Sequence, residues 1–353
     1  MTAVETFNLA KGHRISRVIK GGWQLAGDHG PVDAARAIAA MDAFVEAGIT
    51  AFDCADIYTG VEEMIGAFLA DRVRRGRPTE AIRIHTKYVP DIDTLATVGL
   101  TDVRAIITRS LQRLGVDQLD LVQFHWWDLG VPRWVEVAGY LAELQREGLI
   151  RTLGATNFGT DASAAMLDAG IRLASMQVQY SLLDRRPERR LVALGGATGM
   201  HLLCYGSLAG GLLTDRWLGQ AEPDEFHNRS HLKYKLVIDD AGGWDWFQAL
   251  LRVLKTIATK HGVSVANVAT RWVLDRPQVA AAIVGARHED HIADTLGVFR
   301  VTLDEMDRMG IDAVLAEGRQ IDGDVYAAER DRTGRHGRIM KYRLNADPNA
   351  VVG

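Results

Sequence analysis

Four residues able to move or stabilise a proton are set close to the ends of apolar runs, and three of them stand where such a run ends. In "AFDCADIYTGVEEMIG", residues 51–66, Asp53 closes a strand-like stretch and Tyr58 follows five residues later. "IRIHTK" ends in Lys87 and "LDLVQFH" ends in His125. A buried carboxylate costs several kcal/mol unless something compensates it. Asp53 therefore calls for a cation, and Lys87 is the expected one. Taken singly, each residue has a plainer explanation: a capping aspartate, a rim tyrosine, a lysine at the end of a strand, a hydrogen-bonded core histidine. Their joint occurrence at corresponding strand ends points to chemistry.

Side chains from separate strands meet at one place when parallel strands close into a barrel, where the C-terminal strand ends converge on one face. The chain predicts this arrangement. Eight strand-like stretches occur: "KGGWQLAG", "TAFDCAD", "AIRIHTKYV", "LDLVQFHWW", "IRTLGATNF", "ASMQVQYSLL", "MHLLCYGSL" and "VAAAIVGAR". Nearly all are separated by helical patterns long enough for right-handed crossovers. "HRISRVIK" predicts a hairpin ahead of them, and a helix is expected from about Val61 to Arg75. The expected fold is α/β, a (β/α)8 TIM barrel over residues 1–317. A doubly wound sheet would bring a G-x-G-x-x-G after an early strand, and the sequence has none there. From about Ala209 to Gly243 a long loop, rich in polar and aromatic residues, follows the seventh strand, as functional lids do. Residues 318–353 read as a polar C-terminal tail that covers a surface, bridges subunits or is disordered.

Composition narrows the function classes. The chain has 353 residues, 47% hydrophobic and 24% charged, with a net charge of −4. It carries no basic footprint for nucleic acid or for an anionic membrane. No apolar run is long enough for a signal peptide or a membrane span, so a cytoplasmic protein is expected. Cys54 and Cys204 lie far apart in apolar stretches and read as core residues. The histidines are scattered, and "RHEDHIAD" reads as a helix start, so no metal is expected. A homo-oligomer is compatible with all of this.

The constellation resembles the aldo-keto reductase superfamily over about Arg17 to Ala316. Its pattern is met by Asp53, Tyr58, Glu62, Ile65 and Gly66, with Lys87 and His125 at the catalytic lysine and histidine positions. Thr59 and Cys54 depart from the usual glycine and threonine. The chain most resembles the branch of the potassium-channel β-subunits and bacterial ketone reductases, with a weaker likeness to reductases of oxidised trichothecene mycotoxins. The resemblance implies NADPH, with NADH as a weaker alternative. It implies that Thr156, Asn157 and Gln177 serve the nicotinamide, with Asn157 and Gln177 on its carboxamide, and that Tyr205 stacks on the ring. Trp23 would wall the nicotinamide mouth. Gly206, Ser207, Leu208, Gly210 and Leu212 would bind the cofactor, the backbone near Leu208 and Gly210 against the pyrophosphate with Arg216 as its cation. Gly285, Arg287, His291, Asp294 and Thr295 align with the adenosine-phosphate clamp, where Arg287 is the one permanent cation.

Carbonyl reduction needs a hydride for the carbon and a proton for the oxygen. Tyr58 is the expected general acid, its pKa lowered by Lys87, which Asp53 holds. His125 is expected to donate a hydrogen bond to the carbonyl oxygen and so orient it. Trp23, Tyr58, His125, Trp126 and Trp127 would form the substrate pocket, with Trp217, Phe226 and Tyr234 able to complete it from the long loop. Aromatic walls favour an apolar or ring-shaped carbonyl compound, extending to a bulky cyclic ketone such as an oxidised mycotoxin. The competing readings are an NAD-dependent dehydrogenase of a sugar or alcohol, a barrel lyase forming a Schiff base on Lys87, and a cofactor-binding regulatory subunit.

Overall fold

The computed structural model describes residues 3–26, 32–226, 229–286 and 288–342. Its order begins with strands β1 (Thr6–Ala10), β2 (His13–Ser16) and β3 (Val18–Gly21), then α1 (Ala34–Glu46), β4 (Ala51–Asp53), α2 (Val61–Arg74) and β5 (Arg83–Tyr88). α3 (Leu100–Leu114), β6 (Leu119–Phe124), α4 (Trp134–Arg146), β7 (Ile150–Thr156), α5 (Thr160–Asp168) and β8 (Ser175–Gln179) follow. Next are α6 (Leu191–Thr198), β9 (His201–Tyr205), α7 (Arg229–Ala241), α8 (Gly243–His261), α9 (Val265–Leu274) and β10 (Val279–Gly285). The last helices are α10 (Ile292–Thr295), α11 (Glu305–Glu317) and α12 (Ala327–Arg330).

Strands β3 to β10 close into a parallel barrel in which β10 pairs with both β3 and β9. The two periodicities of the sequence account for the layers. Inward positions such as Ile19, Ala51, Leu121 and Leu203 fill the barrel. Alternate positions face the helices, which bury their own stripes; α3 turns in Val103, Ile107, Ser110 and Leu114, spaced for one helical face. All eight predicted barrel strands are present.

Three local expectations are revised. The hairpin pairs Thr6–Ala10 with His13–Ser16, and it closes the barrel floor with Leu9 and Ile15. The first barrel strand is only Val18–Gly21, because Trp23–Leu25 coil into one 3-10 turn. The insertion after the seventh barrel strand is not loop alone. It contains α7, whose Tyr234, Val237, Ile238 and Ala241 recur at helical spacing and are buried. The chain after Glu317 returns to the C-terminal face of the barrel and buries Ile321, Val325, Tyr326 and Glu329 there.

Candidate active site

Asp53 ends β4 and Lys87 lies one position before the end of β5, on neighbouring strands. Lys87 Nζ donates to Asp53 Oδ2 at 2.6 Å and to the Cys54 carbonyl at 2.7 Å. The other carboxylate oxygen accepts from Gln123 Nε2 at 2.9 Å and Gln177 Nε2 at 2.6 Å, and Gln177 Nε2 also donates to Gln123 Oε1 at 2.9 Å. All four side chains are buried. Burial alone would lower the Lys87 pKa, but the charge of Asp53 and the hydrogen bond to it outweigh burial and raise it. Lys87 is thus held as an ammonium.

Tyr58 sits in the turn between β4 and α2, with Lys87 Nζ 5.1 Å from its ring centroid and Trp23 edge-on at 5.0 Å. Glu62, in the first turn of α2, fixes that turn from below. It accepts from Thr86, beside Lys87, at 2.7 Å and from Arg113 of α3 at 3.3 Å. Burial raises the Tyr58 pKa above its ordinary value, and Lys87 is the chief influence pulling it down. The net direction is opposite to the expected lowering, because desolvation of the phenolate exceeds the ammonium's attraction. At neutral pH the phenol therefore keeps its proton.

His125 is buried, and burial, followed by the charge of Arg330, lowers its pKa to about 3. The ring is neutral at physiological pH. Its Nδ1 lies 3.2 Å from the Thr156 carbonyl oxygen. A carbonyl only accepts, so Nδ1 carries the ring proton. Nε2 is then an acceptor, and it has no partner among the described residues. This differs from the donor role expected for His125.

These groups face a cavity of about 410 Å³. Trp23, Trp127, Ile57, Val89 and Tyr326 line its substrate end beside Tyr58 and His125. Thr156, Asn157, Gln177 and the run Tyr205–Leu208 with Gly210 line it further along, as does Gly285. Asn157 has φ +63, and its Oδ1 accepts from Tyr205 OH at 2.9 Å. Gly206 has φ +73, and a Cβ there would stand 2.4 Å from the Tyr234 hydroxyl, so α7 can lie on this loop only over a glycine.

Several expected residues lie elsewhere. Trp126 is fully buried under the rim, its indole NH donating to the Val131 carbonyl at 3.1 Å. Leu212 is in the core, and Arg216 stacks 5.6 Å from the Trp217 ring rather than facing the cavity. Trp217 and Phe226 pack with each other, and Trp217 also packs on Trp244; only Tyr234 of that trio reaches the cavity. His291 and Thr295 do not line it, and Asp294 accepts from Ser264 and Asn267 of the α9 start. Arg287 lies outside the described residues.

Among the residues of the site that escaped sequence reading, four bear most on its chemistry. Gln123 hides mid-strand in "LDLVQFH", where a neutral amide resembles filler. Arg229 and Lys233 line the cavity from α7, where Lys233 Nζ stands 5.0 Å from the Tyr205 ring centroid. The "RSHLK" spacing, four residues apart on one helix face, was the available signal. Tyr326, from the segment read as a tail, lies edge-on to His125 with centroids 5.7 Å apart.

A model described as the aldo/keto reductase family matches residues 17–316. The chain is 28% identical over 309 residues to Aldo-keto reductase YhdN of Bacillus subtilis (strain 168), spanning 86% of this chain and 91% of that relative. It is 27% identical over 324 residues to the NADH-specific methylglyoxal reductase of Escherichia coli (strain K12), spanning 83% and 92%. Among solved structures, a glycerol dehydrogenase from Gluconobacter oxydans superposes with a TM-score of 0.75 at 26% identity, covering 92% of this chain and 98% of that one.

Proposed function

Since the chain belongs to the aldo/keto reductase family, we propose that it is an NADPH-dependent reductase of aldehydes or ketones that takes apolar, ring-shaped substrates. The observation that carries this reading is the buried Asp53–Lys87 pair beside a protonated Tyr58 at the mouth of an aromatic cavity. The cavity suits a dinucleotide. Ser207 Oγ, Gln24 Oε1 and His125 Nε2 are buried polar atoms along it with no partner among the described residues, and Arg229 and Lys233 bring positive charge toward a pyrophosphate. Asn157, Gln177 and Tyr205 would hold its nicotinamide end. When bound, the cofactor supplies the hydride.

Tyr58 gives its proton to the substrate oxygen, and Lys87 stabilises the phenolate left behind. Asp53 holds Lys87 as an ammonium, while Gln123 and Gln177 hold Asp53. His125 meets the same oxygen through Nε2 and accepts the hydroxyl hydrogen of the alcohol form, so it orients the alcohol side of the reaction. Trp23, Trp127 and Tyr326 exclude water and favour flat or alicyclic carbonyl compounds. A Schiff base on Lys87 would need a neutral amine, which Asp53 opposes.

A second reading, oxidation of an alcohol by the same groups, is favoured by the acceptor state of His125 Nε2. A panel of small aldehydes, bulky cyclic ketones and the matching alcohols, each with both dinucleotides, tests these readings. The expected result is faster reduction of the cyclic ketones, with NADPH favoured modestly over NADH. Exclusive turnover of small polar alcohols would replace the first reading by the second.

A further inference from the structure

We propose that Arg330 is a positioning residue for His125: its guanidinium clasps the backbone at both ends of the His125–Thr156 hydrogen bond and so fixes which ring nitrogen meets the substrate. The inference rests on the reading of His125 as a side chain that touches the substrate oxygen.

Arg330 ends α12, in the segment that returns across the barrel face. Nη1 donates to the Trp126 carbonyl and, at 2.9 Å, to that of Trp127; Nη2 donates to the Asn157 carbonyl at 2.7 Å. Trp126 and Trp127 directly follow His125 at the exit of β6, and Asn157 directly follows Thr156 at the exit of β7. These residues lie beyond the last ladder pair of the two strands, Phe124 with Ala155. One planar fork therefore joins the two strand exits where the sheet no longer does. Asn157 is in the left-handed region, uncommon for a residue other than glycine. It is held there by its own NH on the Gln177 carbonyl at 2.9 Å, by Tyr205 and by Arg330.

The clasp is itself anchored to the body of the protein. Glu329, fully buried, pairs with Arg186 at 2.9 and 3.0 Å, and Arg186 also binds Asp184 at 2.7 Å. The Phe158 and Tyr326 rings flank the Arg330 guanidinium at 5.6 and 5.5 Å. Next to burial, its charge is the strongest influence keeping the imidazole neutral. An arginine suits the task because one rigid fork serves several carbonyls, whereas lysine offers a single point charge.

The test uses the full chain labelled with ¹⁵N-histidine. Long-range proton–nitrogen spectra report the tautomer of each imidazole, and the His125 signals are those lost in His125→Ala. Wild type should hold His125 with its proton on Nδ1, and Arg330→Ala should shift it to a mixture with the Nε2 form. With an activated aldehyde, Arg330→Ala should lower kcat about tenfold or more while KM changes by less than about threefold. In a His125→Ala background the same change should cost less than about twofold. Added guanidinium ion should restore part of the lost kcat. An unchanged tautomer overturns the proposal, and so does an equal loss in both backgrounds, which would make Arg330 merely structural. If Arg330→Ala does not fold, Arg330→Lys carries the test, since it keeps the charge and loses the fork; wild-type tautomer and kcat there also overturn it. A tautomer shift in a protein that turns over no carbonyl compound would sink the reductase reading and leave this one standing.

Discussion

Asp53 accepts three hydrogen bonds from side chains, one from Lys87 and two from glutamines, and this count sets what its partners are worth. Replacing Lys87 by Met would strand a buried carboxylate, so Lys87→Met should lose about 3–5 kcal/mol of stability as well as most turnover. Denaturant unfolding beside steady-state kinetics checks both; a variant as stable and active as wild type would remove Lys87 from the account. The proposed preference for NADPH is also testable at a single residue. If Arg287 grips the adenosine phosphate, as the resemblance implies, Arg287→Ala should raise the KM for NADPH strongly and leave that for NADH nearly unchanged. Equal changes with both dinucleotides would mean that Arg287 does not read the phosphate. Asp53, Lys87 and His125 were legible because a charged or titratable residue closing an apolar strand is conspicuous. Gln123 was not, because a neutral amide in mid-strand leaves no imbalance in the sequence. The direction of the Tyr58 shift was missed for a related reason: burial acts through surroundings that spacing cannot describe.

At the scale of elements, the turn that carries Tyr58 is only as fixed as the helix behind it. α2 approaches α3 so closely that a Cβ at Gly66 would stand 2.2 Å from the Arg113 carbonyl oxygen. Gly66→Ala should therefore push the helices apart and cost about 1–3 kcal/mol. A thermal midpoint equal to that of wild type would contradict this packing account. The barrel strands were readable because each alternates or runs apolar between helical segments of crossover length. Two elements were not. α7 spends its buried face on Tyr234, Val237, Ile238 and Ala241 amid charged neighbours, which blurs its periodicity. The C-terminal segment has little apolar periodicity because it is held by polar anchors instead: Asp324 accepts from the Thr160 NH, Glu329 pairs with Arg186, and Arg330 binds three carbonyls. Segments fastened by hydrogen bonds resemble loops when only hydrophobic pattern is read.

At the scale of the whole molecule, buried imidazoles tie stability to pH. On the barrel floor His13 Nε2 lies 3.0 Å from His85 Nε2, and Nδ1 lies 3.1 Å from Thr152 Oγ1. Burial, with the charges of Arg83 and Arg151, lowers the His13 pKa to about 4, and His125 at the opposite face is lowered to about 3. Both folded values lie below the ordinary value of about 6.5. Above that pH neither state binds the proton; below it the unfolded chain does and the folded one does not. Stability should therefore fall as pH drops from about 6.5 toward 4, by roughly 3 kcal/mol for His13 alone. Urea midpoints at neutral and mildly acidic pH measure this, and a flat profile would contradict it. In the proposed reaction Tyr58 supplies the proton for carbonyl reduction, and Tyr58→Phe isolates that role because the ring is kept and only the donor is lost. Nicotinamide oxidation with an activated aldehyde, measured alongside dinucleotide binding, should show near-normal binding and a kcat lower by about 10²–10⁴-fold. A Tyr58→Phe variant that keeps more than about a tenth of the wild-type kcat would show that another group gives the proton, because acid catalysis of that size cannot be retained without its donor.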